Sequence, residues 1–253
     1  MIRAILALIL TLAFVGSGID PASAEEPSPT ASPTPTTSAS PMPSPAPTTD
    51  PAPSEEPDCR GAADTRSAAQ RNKPFRVCAV VVLSKHHRVT ATYRPKLVTV
   101  SVPRNGISQV ALQRVAATAL KALFTRARKA GHKLVVRSAY RSFSTQKYLY
   151  RRDHRLTAPP GASEHQSGLA ADLAVIRKGR LVRGYAFGTS AAGRWVRKHA
   201  AEFGFILRYP NHRAAITGIP YEPWHFRYVG RTAAAGVGKT KTKTLERYLK
   251  VSA

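Results

Sequence analysis

The chain reads as an α+β protein, a single domain built on a central, largely antiparallel sheet flanked by helices. Three observations predict this class. Short β-branched runs bounded by polar residues recur at Val77–Leu83, Lys96–Val102 and Lys133–Ser138. Between Ser108 and Gly131 the apolar spacing switches to three and four residues. Helical and strand patterns then mix without the regular alternation that builds a parallel βαβ sheet, and no internal repeat is present.

The first 24 residues read as a signal peptide. Arg3 precedes an apolar run from Ala4 to Val15, and Ala22, Ser23 and Ala24 give the small-x-small pattern of a cleavage site. That run falls short of the roughly 20 apolar residues that cross a bilayer, and no later stretch spans one. The expectation is a secreted or cell-wall-associated protein without a transmembrane segment. Residues 25–58 are almost wholly Pro, Ser, Thr and Ala, too poor in apolar side chains to offset the entropy of ordering. They read as an extended linker. Residues 59–232 suffice for one domain with its own core, and 233–253 read as a basic tail with a short, weakly ordered helix. Cys59 and Cys78 are the only cysteines; in an exported chain they read as one disulfide, a closure of about 3 kcal/mol on the chain-entropy model.

Within the domain, Val77–Leu83 and Lys96–Val102 are the first expected strands. Leu112, Val115, Ala116, Ala119, Leu120, Leu123 and Ala127 then form a helical stripe, with Ser108 suited to the N-cap and Gly131 to the C′ position. A strand over Lys133–Ser138 leads into Arg141, and Ser144 suits the cap of a helix running to about Arg155. Leu169–Ile176 reads as a buried strand and Ser190–Phe203 as a helix stopped by Gly204. Phe205–Tyr209 and Trp224–Val229 are the last strands.

A formal charge of +25 predicts affinity for polyanions. Outside a cell those are anionic wall polymers, membrane surfaces or acidic peptides; no helix-turn-helix, zinc-finger or aromatic-basic motif points to nucleic acid. From Cys59 onward only seven acids occur, namely Asp64, Asp153, Glu164, Asp172, Glu202, Glu222 and Glu246. Three of them lie in two short histidine-bearing segments, Gly161–Asp172 and Glu222–His225.

Those segments suit a catalytic zinc ion, which takes three nitrogen or oxygen ligands and keeps a fourth position open. His165, Asp172 and His225 meet that count, and Gly168 allows the loop to bend so that the side chains converge. Taken singly, each histidine fits a hydrogen-bonded core position equally well, and Asp172 fits a partner for an arginine. Glu222, held extended by Pro223, is placed for general-base chemistry or for a salt bridge. Arg141, at a strand-to-helix turn, offers a planar fork to a developing oxyanion or a substrate carboxylate. Gln146 and Ser163 carry groups able to bind a peptide, Ser163 equally a local turn hydroxyl.

Several motifs in order carry a resemblance: Ser138–Ser142 with Gln146, Ser163–Asp172, Phe203–Pro210, Ile216–Gly218 and Tyr221–Gly230. Together they resemble the VanY-type D-alanyl-D-alanine carboxypeptidase family over about Val82 to Gly230. The resemblance implies a zinc peptidase of the hedgehog/DD-peptidase fold that trims the terminal D-alanine from peptidoglycan stem peptides. His165, Asp172 and His225 would hold Zn2+, Glu222 would be the base, and Arg141 would stabilise the transition state or anchor substrate near Gln146 and Ser163. Ala139 stands where the family often has glycine, which a negative backbone angle accommodates. The rival expectations are a peptidoglycan endopeptidase or D,D-dipeptidase of the same fold, and a non-catalytic wall-binding module. A monomer is expected, since no heptad or exposed apolar stripe is present.

Overall fold

A computed structural model describes residues 63–154 and 157–253; the expected signal peptide, linker and Cys59 lie outside the described residues. Strands β1 (Phe75–Val77) and β2 (Val80–Val82) form an antiparallel hairpin. The sequence reads this stretch as one strand, but Cys78 takes φ 50° and reverses the chain. Cys78 is not a free thiol. The expected strand at Lys96–Val102 contracts to β3 (Val98–Thr99), paired with β4 (Ala111–Leu112).

Helix α1 (Arg114–Lys129) therefore starts after Gln113 rather than at Ser108, because the intervening residues pair as β4. Ala116, Leu120, Leu123 and Ala127 form its buried stripe against the sheet, each fully buried. Val115 falls off that stripe and is 55% exposed. Arg126, Arg128 and Lys129 occupy the last turn, where cations favour the helix dipole, and Gly131 follows at φ 81°.

β5 (Lys133–Ser138) leads to α2 (Phe143–Arg152). The cap is Ser142, two residues before the expected Ser144; its Oγ accepts from Thr145 N at 3.1 Å. After a 3-10 turn (Glu164–Ser167) come β6 (Ala170–Arg177), β7 (Arg180–Val182), α3 (Gly184–Thr189) and α4 (Ala191–His199). Gly204, at φ 77°, turns the chain into β8 (Phe205–Leu207), followed by α5 (Ala214–Thr217) and β9 (His225–Tyr228). The principal sheet is antiparallel throughout, ordered β5-β6-β9-β8, with β7 paired to the far end of β6.

The segment expected as a weakly ordered tail is instead part of the domain. α6 (Arg231–Lys239) and α7 (Leu245–Leu249) bury Ala234, Val237, Leu245 and Leu249 against Ile206 of β8 and the β1–β2 hairpin. Each fully buried leucine contributes about 1.5–3 kcal/mol relative to exposure, enough to hold short helices that would not persist alone.

Candidate active site

The principal sheet brings the site together. On β6, Asp172 is the direct cross-strand partner of His225 on β9 and of Ser138 on β5, and directly opposed residues project from the same face. His225 Nδ1 thus lies 3.2 Å from Asp172 Oδ1. His165 arrives from the 3-10 turn, which ends at Gly168 in the left-handed region (φ 68°); a Cβ there would strike Leu97. Its Nδ1 donates to the Ala139 carbonyl at 2.6 Å, leaving Nε2 directed at Asp172 Oδ2, 3.3 Å away. Ala139 is not among the residues with positive φ, so alanine sits there without backbone strain.

The two imidazoles use opposite nitrogens. His225 faces Asp172 through Nδ1, while its Nε2 lies 3.3 Å from Glu164 Oε2. The rings meet edge-on, with centroids 4.9 Å apart. One donor atom from each of His165, Asp172 and His225 lies within 4.8 Å of the others. His165 Nε2 and Asp172 Oδ1 are buried and lack hydrogen-bond partners. Orphaned buried donors and acceptors are costly, and a cation among two nitrogens and a carboxylate would satisfy both, so the residues fit zinc. Asp172 stays well below the usual carboxylate range; burial acts to raise it, but the two histidines overcome that effect.

Glu222 stands next to this cluster. Its N–H donates to the Tyr209 carbonyl at 3.1 Å, its carbonyl accepts from His225 N at 3.1 Å, and its Oε2 lies 3.6 Å from His225 Nδ1. Burial lifts its pKa to about 7, against the pull of His225. Arg141 is anchored by its own N–H, which donates to the His165 carbonyl at 3.2 Å, and its buried Nε has no partner. Burial lowers its pKa, opposed by Asp172 and Glu222. Arg141, Ser163, His165, Tyr209, Glu222 and His225 all line one cavity of about 520 Å³.

Ser163 reaches that cavity and makes no side-chain cap to the turn it precedes. Gln146 is placed differently from the expectation of a substrate contact. It is fully buried behind the wall, its Nε2 donating to the Ala158 carbonyl at 2.7 Å, and Ala158 is what lines the cavity.

Sequence reasoning passed over Glu164. It is fully buried and receives Arg208 Nε at 2.7 Å and Arg227 Nη1 at 2.8 Å. Burial would raise its pKa, yet these two guanidiniums hold the carboxylate well below its ordinary range. Arg208 also reaches Glu246 of α7 at 2.6 Å, and Arg227 Nη2 donates to the Val81 carbonyl at 2.5 Å. The detectable signal was an arginine next to each of two apolar strands, at Phe205–Arg208 and Phe226–Arg227, since buried arginine requires a buried acid.

A closed structural metal site takes four protein ligands; three here, opening on a cavity beside a carboxylate of near-neutral pKa, define a hydrolytic metalloenzyme. Comparison with known proteins gives the family. The family model for VanY, D-alanyl-D-alanine carboxypeptidase, matches residues 109–231. YodJ of Bacillus subtilis (strain 168) is 37% identical over 182 residues, 67% of this chain and 66% of its own. The D-alanyl-D-alanine carboxypeptidase of Enterococcus faecium is 39% identical over 116 residues, 46% of this chain and 36% of its own. The chain thus spans from about a third to just under two thirds of the length of these two relatives. Among solved structures, the LdcB LD-carboxypeptidase is 33% identical with a TM-score of 0.62, covering 72% of this chain and 95% of its own. The vancomycin resistance D,D-pentapeptidase VanY, solved with Zn(II), is 28% identical with a TM-score of 0.57, over 67% and 98%. The chain belongs to the VanY D-alanyl-D-alanine carboxypeptidase family of zinc metallopeptidases.

Proposed function

We propose that this chain is a secreted, zinc-dependent D-alanyl-D-alanine carboxypeptidase that releases the terminal D-alanine of peptidoglycan stem peptides. The observation that carries the reading is Glu222, a buried carboxylate of pKa about 7 facing the same cavity as the two histidines. VanYB, a solved structural neighbour at 28% identity, holds D-alanine-D-alanine.

His165, Asp172 and His225 would hold the zinc ion, which supplies Lewis acidity toward water and the scissile carbonyl. Glu222 accepts a proton from the attacking water as its oxygen bonds to the carbonyl carbon. It returns that proton to the amine nitrogen as the C–N bond breaks. The unpartnered Nε of Arg141 provides a preorganised cation for the oxygen that gains charge. Ser163 offers a hydroxyl to the bound peptide. Export by the amino-terminal segment, a Cys59–Cys78 disulfide, a monomeric state and attraction of the basic surface to anionic wall polymers belong to the same reading.

One observation favours a second reading. The LdcB LD-carboxypeptidase aligns with a higher TM-score and identity than the D,D-pentapeptidase VanY, which points to cleavage after an L-configured centre. Release of D-alanine from a pentapeptide ending in D-Ala-D-Ala, compared with a tetrapeptide whose single D-Ala follows an L-centre, tests both. Chelation should abolish release and zinc restore it. Release from the tetrapeptide alone would replace the D,D assignment, and release from neither would overturn the catalytic reading.

A further inference from the structure

A groove of about 890 Å³ continues the catalytic cavity, for Lys85, Gly218 and Ala253 line both. Its walls are the turn closed by backbone hydrogen bonds between Ser84 and His87, helix α5 and the end of α7. Ala214, Ala215, Ile216 and Val251 supply apolar surface. Lys85, Arg247 and Lys250 line it as exposed cations, with His86 beside them. Glu246, the acid on this lining, is buried and engaged by Arg208, so it does not neutralise them.

The geometry points to this groove as the binding site for the acyl side of the substrate, and to a peptide carrying carboxylates along that side as its occupant. The inference rests on the carboxypeptidase reading. A carboxypeptidase releases a single residue, which needs no extended site, whereas the rest of the peptide must run out of the cavity across the protein surface. This groove is a continuous path for it. Its cations complement carboxylates placed several residues before the scissile bond. The apolar surface suits the peptide's methyl and methylene groups.

Two acetylated pentapeptides ending in D-Ala-D-Ala test this, identical except that one carries γ-linked D-glutamate and the other its α-amide. Exposed ion pairs are individually weak, so wild-type protein should favour the acidic peptide about three- to tenfold in KM, less at high salt where such pairs are screened. R247E/K250E should raise KM for the acidic peptide about tenfold or more and leave the amide's kcat and KM within about twofold. Equal KM for the two peptides in the wild-type protein, or an equal change in both on substitution, would overturn the proposal. Should neither peptide be hydrolysed, the D,D assignment fails by itself. Fluorescence anisotropy with labelled forms of the same peptides then decides the groove: charge-dependent binding lost in R247E/K250E supports it, and indifferent binding removes it.

Discussion

Glu164 Oε2 lies 3.3 Å from His225 Nε2, and the same carboxylate, through Oε1, receives both Arg208 and Arg227. One buried acid thus orients a candidate metal-site histidine and, together with Glu246, balances two buried arginines. Hydrogen bonding at Nε2 reserves Nδ1 for the ligand cluster, and partners of this kind raise ligand basicity. Glu164→Gln should lower zinc affinity about 10–100-fold, measured by competition with a chromophoric chelator. It should also destabilise the fold by about 3–5 kcal/mol, since it leaves guanidinium charge uncompensated in the interior. Unchanged zinc affinity would remove Glu164 from the metal site's support.

The metal site should take up zinc with release of a proton. Burial alone would lower the His225 pKa, but the Asp172 and Glu164 carboxylates beside its two ring nitrogens, with the charge of Glu222, raise it to about 9. His165 is pushed down to about 4, chiefly by burial and by Arg141. At neutral pH, metal therefore displaces one proton from His225 and none from His165. Calorimetric zinc titrations in buffers of different ionisation enthalpy should report about one proton released per ion, and affinity should rise with pH up to about 9. A buffer-independent enthalpy would refute this.

The same shift has a sign for stability. His225 binds its proton more tightly folded than unfolded, so the contribution is complete below its ordinary value of 6.5 and is lost as pH rises through about 9. Metal-free protein should accordingly lose thermal stability between pH 7 and 9, while zinc-loaded protein, whose His225 is held neutral with its one proton on Nε2, should not share this loss.

Glu222→Gln preserves shape and removes the base. We expect kcat to fall about 10²–10⁴-fold with the circular dichroism spectrum and zinc content retained. In the wild-type enzyme, activity should rise with pH on the acid limb as Glu222 loses its proton. Retained turnover in the variant would assign the base elsewhere.

Arg141→Lys keeps the charge but loses the planar fork and its Nε. A fall in kcat of about 10²-fold or more, with KM little changed, is expected if the group acts on the transition state. A rise in KM alone would make it a substrate anchor.

The sequence by itself determined the antiparallel α+β class, the strand at Lys133–Ser138 and the helical character of Ser190–Phe203, because these depend on local period; it offered His165, Asp172 and His225 as candidate ligands, and the sheet brings them together. The glycine that ends α1 was legible for the same reason: it acts on its own neighbours. What pairs with what was decided by the tertiary structure. Ser108 yields its cap because Ala111–Leu112 pairs with β3, and Cys78 turns the chain because the two halves of the valine run prefer each other. Burial of α6 and α7 made a basic tail into core, since the apolar surface that receives Leu245 and Leu249 comes from β1, β2 and β8, far away in the chain. Which acid answers the two strand arginines was decided by the fold: the partners of Glu164 stand 44, 61 and 63 residues away. Only desolvation in a shared interior turns such distant charges into a single network.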